Sequence, residues 1–203
     1  MMILRGPGFT GGRAIDALVS HVDLFPTICE AAETEPPVWL VGRSLLPLVA
    51  GHEEPGVHSE IFSELTYHAA YEPQRAIRTD RYKYIRRFDD YPYPVLPNCD
   101  DSPSKDAYLD RGWDKRRVSR EALHDLFFNP GEGRNLLDHP EYAEILADLR
   151  ARLRRWMEAT GDPLLHGPVP GPPGAVINAQ TQRSADDPTF VVQEATSPAA
   201  TGR

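Results

Sequence analysis

Residues 121–157 read EALHDLFFNPGEGRNLLDHPEYAEILADLRARLRRWM, and the hydrophobic period changes within them. Ala122 to Phe128 is short, partly apolar and stopped by Asn129-Pro130-Gly131, which predicts a strand entering a tight turn. Asp138 is placed to cap the helix that follows, with Pro140 tolerated in its first turn and Glu141 three residues on in capping-box spacing. Tyr142, Ile145, Leu146, Leu149, Leu153, Trp156 and Met157 then recur at helical period, and Glu144, Asp148, Arg150, Arg152 and Arg154 take the other sides. A helix with one such face must bury it, most simply on the sheet that holds the preceding strand.

Working upstream, Ile61 to Tyr67 is β-branched and aromatic, as strands are. Gln74 to Arg78 and Arg81 to Arg86 flank Thr79-Asp80 as a hairpin, with Tyr82, Tyr84 and Arg86 alternating in the second arm. With 122–128 these make an antiparallel sheet of about three or four strands, and the long helix covers one face. The long segment 89–120 is a loop whose aromatics, Tyr91, Tyr93 and Trp113, either bind a sugar or anchor the loop; the anchor is favoured. Nearer the start, residues 1–8 read as a strand, Asp23 to Ala32 as a helix with Asp23 as N-cap, and 45–49 as a short helix capped by Ser44. Residues 166–203, rich in Pro, Gly, Ala, Ser and Thr, read as a disordered tail.

The chain has 203 residues, enough for one domain with a real core or one domain plus leftovers. Its 40% hydrophobic and 26% charged content is ordinary for a soluble protein. A formal charge of −8 argues against a general nucleic-acid binder, and the basic run Lys115-Arg116-Arg117 reads as a solvated loop, with an anion-contacting patch as the alternative. No stretch approaches the ~20 apolar residues that a membrane span needs. The two cysteines, Cys29 and Cys99, either pair or stay free, with Cys29 expected as a buried thiol.

Leu123-His124-Asp125-Leu126, Asn129-Pro130-Gly131-Glu132, Asn135-Leu136 and Asp138 to Tyr142 resemble the C-terminal end of type I sulfatases, which usually carry Tyr where this chain has His124. Val19 to Thr27 followed by Gly42-Arg43-Ser44-Leu45-Leu46-Pro47-Leu48 resembles the pattern that closes the large catalytic domain of that family. Phe62 to His68, Tyr71 to Arg75 and Glu158 to Pro163 are similar to N-sulfoglucosamine sulfohydrolases (heparan N-sulfatases). The resemblance implies an α/β fold: the C-terminal remnant of an alkaline-phosphatase-like domain over 1–55, then an α+β subdomain over 56–165 whose small antiparallel sheet is covered by the long amphipathic helix. It also implies a hydrolase of sulfuric esters or N-sulfoglucosamine sulfate, a sulfated sugar as substrate, and Ca²⁺ and a formylglycine as the family's cofactors. The Cys-x-Pro-x-Arg motif from which that formylglycine is made is missing from these residues, as are the family's metal-binding segments. The chain therefore reads as a C-terminal fragment with no cofactor of its own, inactive alone and partnered by an N-terminal catalytic domain.

Within it, Glu64, His68 and Arg75 are the residues expected to face the substrate pocket, Arg75 offering a planar donor fork to a carboxylate or sulfate. The alternative for Arg75 is a structural ion pair, and for His68 an ordinary loop residue. No catalytic or metal-ligating set is assigned: His52, His58 and His68 match no zinc spacing. Ser20, His21 and Asp23 are too close in sequence to form a triad. Two other readings stand beside the fragment: a non-catalytic module binding an anionic glycan or a partner protein, and a phosphodiesterase or phosphatase sister of the same superfamily.

Overall fold

The computed structural model describes residues 2–6, 9, 11–51 and 57–192. Its first segment makes no strand: Gly6 and Phe9 meet in a single bridge, closed by the Phe9 amide on the Gly6 carbonyl at 3.0 Å. Two short helices follow, α1 (Leu24–Ala31) and α2 (Leu46–Val49).

Asp23 stands before α1, as expected, but its carboxylate does not cap the helix. It is fully buried and ties three segments together. Oδ2 accepts the Ser20 amide at 2.7 Å, Oδ1 accepts the Arg43 amide at 2.9 Å, and His58 Nε2 lies 2.8 and 3.0 Å from the two oxygens. Thr27 extends the clasp, donating to the Asp23 carbonyl at 2.5 Å and accepting the Leu45 amide at 2.9 Å. Gly42 is required beside it, because a Cβ there would stand 2.0 Å from the Val22 carbonyl oxygen. Ser44 accepts the Leu46 amide at 3.2 Å, close to the capping role expected of it. Leu45, Leu48 and Val57 form the small core of this region, packed by Met2, Ile15 and Val19.

The main sheet holds β1 (Ile61–Tyr67), β2 (Tyr71–Arg78), β3 (Tyr82–Arg87) and β4 (Glu121–Asp125) in antiparallel order β1-β2-β3-β4. Ala76 pairs with Ile85 and Ile85 with Ala122, so period two sends Ile77, Tyr84 and Leu123 to one face and Gln74, Arg87 and His124 to the other. β4 ends three residues earlier than predicted. The Asp125 carboxylate accepts the amides of Phe127 and Phe128 at 3.0 and 3.2 Å, turning the chain before those two residues can extend the ladder. Asn135 seals part of the outer edge of β4, accepting the Leu123 amide at 3.0 Å and donating to the Glu121 carbonyl at 3.1 Å. His124 is buried, with Nδ1 2.9 Å from the Arg134 carbonyl.

Between β3 and β4 the long loop contains α3 (Pro103–Leu109), capped by the Ser102 hydroxyl on the Lys105 amide. After β4, α4 (Ala143–Thr160) lies across the sheet. The predicted Asp138 cap does not form: Pro140–Tyr142 makes a 3-10 turn first, which moves the helix start past the reach of that carboxylate. The predicted apolar face holds. Leu146, Leu149, Leu153 and Met157 are buried on Ile77, Tyr84 and Leu123, and Phe62 stacks on Trp156 with centroids 4.8 Å apart. Burying each such side chain contributes about 1.5–3 kcal/mol.

Gly161, in left-handed conformation at φ 64, closes α4. Its amide and that of Asp162 return to the Glu158 and Met157 carbonyls, a paired closure that aims the Asp162 side chain back at the sheet.

The expectation of a disordered tail from 166 is corrected over 166–192; residues 193–203 lie outside those described. This segment folds back as a strap, with β5 (Val176–Ile177) and β6 (Phe190–Val191) pairing antiparallel. Composition misled because the strap is held by side chains distant in sequence rather than by its own apolar period. The buried Lys105 ammonium donates to the carbonyls of Leu96, Cys99 and Arg183 at 3.0, 2.8 and 2.7 Å and pairs with Asp101 at 2.7 Å. Asn178, also buried, bridges from its amide to the Ala69 carbonyl at 2.8 Å. Both cysteines are free thiols, Cys29 buried in α1.

Candidate functional site

Of the three residues expected at a substrate pocket, the fold brings two together. Glu64 on β1 and Arg75 on β2 are register partners, with Glu64 Oε2 3.7 Å from Arg75 Nε. Their exposures differ sharply: the Glu64 side chain is 67% exposed and that of Arg75 3%. His68 lies apart, exposed in the turn between β1 and β2.

Every donor of Arg75 is engaged within the fold, which is the structural ion pair given as its alternative. A guanidinium carries five N–H groups. Nε and Nη2 grip the two Asp162 oxygens at 2.5 and 3.1 Å, and Nη2 also reaches the Thr66 hydroxyl at 3.2 Å. Nη1 donates to the carbonyls of Leu65 and Gln74 at 2.8 and 2.9 Å. The pair joins the sheet to the end of α4, and the carboxylate that occupies Arg75 sits 87 positions along the chain.

The turn that carries His68 is held from below. Ala70 is fully buried; its amide donates to Asn98 Oδ1 at 2.8 Å, and Asn98 Nδ2 returns to the Ala70 carbonyl at 3.1 Å and to Glu72 at 2.9 Å. The rings of Tyr67 and Tyr71 lie 4.9 Å apart, and their hydroxyls bond the Val169 carbonyl and amide in the strap. Burial raises the Tyr67 phenol above its ordinary value, keeping it a neutral donor. Glu64 is thus an exposed group on β1 and His68 an exposed group on the braced turn that follows it. Asn98 and Asn178, which do the bracing, were missed in sequence because an Asn beside Pro97 or in a polar tail reads as turn chemistry.

Among the described residues no group of three or more His, Cys, Asp or Glu could hold a metal ion. Several carboxylates are held by other partners: Asp90 pairs with Arg120 at 2.7 Å, Asp101 with Lys105, and Asp187 accepts the Arg183 and Ser184 amides at 2.8 and 2.9 Å. Neither thiol lies in a Cys-x-Pro-x-Arg context. These residues do not fit a Ca²⁺ and formylglycine centre.

Comparison with known proteins decides what the braced sheet and its helix belong to. Residues 1–108 match the family described as N-sulphoglucosamine sulphohydrolase, C-terminal. The chain belongs to this family. It is 31% identical over 156 residues to an ulvan-active sulfatase of Formosa agariphila, covering 74% of this chain and 31% of that protein. It is 28% identical over 182 residues to the N-sulphoglucosamine sulphohydrolase of Homo sapiens, covering 77% of this chain and 36% of that protein. A solved 2-O GAG sulfatase superposes with a TM-score of 0.57 at 27% identity, over 79% of this chain and 30% of that one. The chain therefore spans about a third of the length of the sulfatases it matches. The fold is that of the C-terminal part of an alkaline-phosphatase-like sulfatase, and the motif resemblance agrees with it.

Proposed function

We propose that this sulfatase-family chain serves as the C-terminal part of a hydrolase acting on a sulfated sugar, with nucleophile and metal supplied by a catalytic portion it docks on. The observation that carries the reading is the partial match: clear similarity to sulfatases, confined to about a third of their length. The substrate class follows from the names of the relatives, which act on ulvan, on glycosaminoglycan and on N-sulphoglucosamine. In this reading residues 1–55 close the catalytic domain and 56–165 form the accessory subdomain. Glu64 and His68 present a carboxylate and an imidazole to the sugar, while Arg75 holds the subdomain together.

Sulfate-ester cleavage needs a nucleophile and strong positive charge around the departing anion. Two of the three buried cations among the described residues, Arg75 and Lys105, are committed to internal carboxylates and carbonyls, so neither is free to stabilise a departing sulfate. The test is direct: purified chain with Ca²⁺, an aryl sulfate and N-sulfoglucosamine should give no turnover above a metal-stripped control. Turnover above that control would overturn the proposal. Expressed behind the catalytic portion of a related sulfatase, the chain should restore hydrolysis, and His68→Ala should then raise KM for the sugar.

A further inference from the structure

The sheet face turned away from α4 is not bare. Together with the loop between β3 and β4 it borders an open cavity of about 550 Å³. Glu72, Gln74, Arg87 and His124 form its floor, and Trp113 and Val118 stand in the opposite wall. None of these belongs to the Glu64–His68 surface, but Asn98 lines the cavity and also holds Ala70 under the His68 turn, so the two places share a wall.

Arg87 is the feature the fold does not explain. It is 8% exposed, and its Nε and Nη2 are buried with no hydrogen-bond partner among the described residues. Nη2 lies 3.5 Å from Asp89 Oδ1, which itself has no hydrogen bond. Arg75 uses every donor it has; Arg87, on the next strand and the other face, lines the cavity with its Nε and Nη2 beneath the surface and without a hydrogen bond, Asp89 standing against Nη2. A buried donor without a partner costs stability, and more so on a charged group. An oxyanion reaching these two N–H groups would remove that cost.

The surroundings narrow the ligand. Glu72 and Asp89 flank the guanidinium, with one Glu72 oxygen on Asn98 and Asp89 Oδ2 on Gln180 at 2.5 Å. Burial raises the Glu72 carboxyl above its ordinary value. Two carboxyl groups beside the Arg87 guanidinium disfavour a polyanion or a bare phosphate at that point, although Arg117 also lines the cavity, and they suit hydroxyl donors. A half-buried indole supplies apolar surface for a ring. We propose that this cavity is a sugar-binding subsite that takes one pyranose ring bearing a single anionic group, a carboxylate or a sulfate, with Arg87 reading the anion and Trp113 packing on the ring. It rests on the sulfated-glycan reading above, and by its shared wall with the His68 turn it would hold a sugar unit neighbouring the one that reacts.

The experiment is a titration of the 203-residue chain, followed by tryptophan fluorescence and amide shifts, with three disaccharides. One is a heparin-derived uronate–glucosamine disaccharide carrying sulfate, one its desulfated, N-acetylated form, and one neutral cellobiose. Saturable binding of an acidic disaccharide, about tenfold or more tighter than cellobiose and weakened about tenfold or more by Arg87→Gln, supports the site. Binding that survives desulfation assigns the anion as the carboxylate; binding that needs sulfate assigns it as sulfate. Arg152→Gln, on the helix side and paired with Glu60 at 3.2 Å, should leave affinity unchanged. No saturable binding, equal binding of cellobiose, or full affinity in Arg87→Gln overturns the proposal. If Arg87→Gln does not fold, Trp113→Ala and the shift map of the parent chain decide, and shifts centred away from Trp113 overturn it. Because binding is read on the chain itself, a failure to support hydrolysis in the fusion leaves this result standing, and the reverse also holds.

Discussion

Replacing Arg75 by alanine separates its two readings, ligand residue and structural tie. The guanidinium and the Asp162 carboxylate are each 3% exposed and joined by two hydrogen bonds at 2.5 and 3.1 Å. Removing one partner of such a pair strands the other charge, at about 3–5 kcal/mol. In a chain of this size that lowers the melting temperature by roughly 6–20 °C. The double variant Arg75→Met with Asp162→Leu removes both charges and should recover most of the loss. It should remain about 1 kcal/mol below the parent, because Asp162 also caps the turn after α4 by accepting the Leu164 amide at 3.0 Å. Thermal melts by circular dichroism at pH 7, with urea midpoints beside them, measure all three proteins. If Arg75→Ala melts within about 2–4 °C of the parent and the fusion enzyme loses affinity for its sulfated sugar, the structural assignment is wrong.

The turn after β4 predicts a pH dependence. Hydrogen bonds from Arg81 at 2.8 and 3.0 Å hold the Asp125 carboxyl below its ordinary range, against the burial that opposes ionisation, and the amides of Phe128 and Phe127 add to it. A depressed carboxyl contributes stability that is present above its unfolded value, about 3.9, and is lost as pH falls through the folded value. Arg81→Gln should therefore be less stable than the parent at pH 7, with the gap closing as pH drops below about 4; urea midpoints giving a constant gap from pH 7 to pH 3 would refute it. Lys105→Met should free the strap, since each hydrogen bond to a charged group is worth about 1.5–3 kcal/mol and Lys105 is what ties Arg183 to the loop. Limited trypsinolysis should then cut at Arg183 much faster than in the parent, while the sheet core stays resistant; an unchanged rate counts against the clamp.

The long helix was legible because its signal is local. Leu146, Leu149, Leu153 and Met157 repeat at the period that puts them on one face, and any sheet beneath would bury them. The strands of the hairpin follow from alternation in the same way. Capping was less legible. Asp138 has the right type and spacing, yet a 3-10 turn at Pro140 displaced the helix start, a choice between two local geometries that sequence leaves balanced.

The sequence alone determined the long helix, the strands of the main sheet, their apolar faces and the motifs that mark a sulfatase C-terminal part, because each depends on neighbours a few positions apart. Tertiary structure decided what the charged and polar residues do. Asp23 met His58 rather than its own helix, 35 positions away; Arg75 met Asp162, 87 away; and Lys105 met Arg183, 78 away, drawing an unpatterned tail into the fold. Arg75 and Arg87 look alike in sequence. The pleat sends one toward a carboxylate on the helix side and the other to the cavity side, where two of its donors are buried without a hydrogen bond. Which arginine is fully bonded is a question of partners in space, and no period or spacing encodes it.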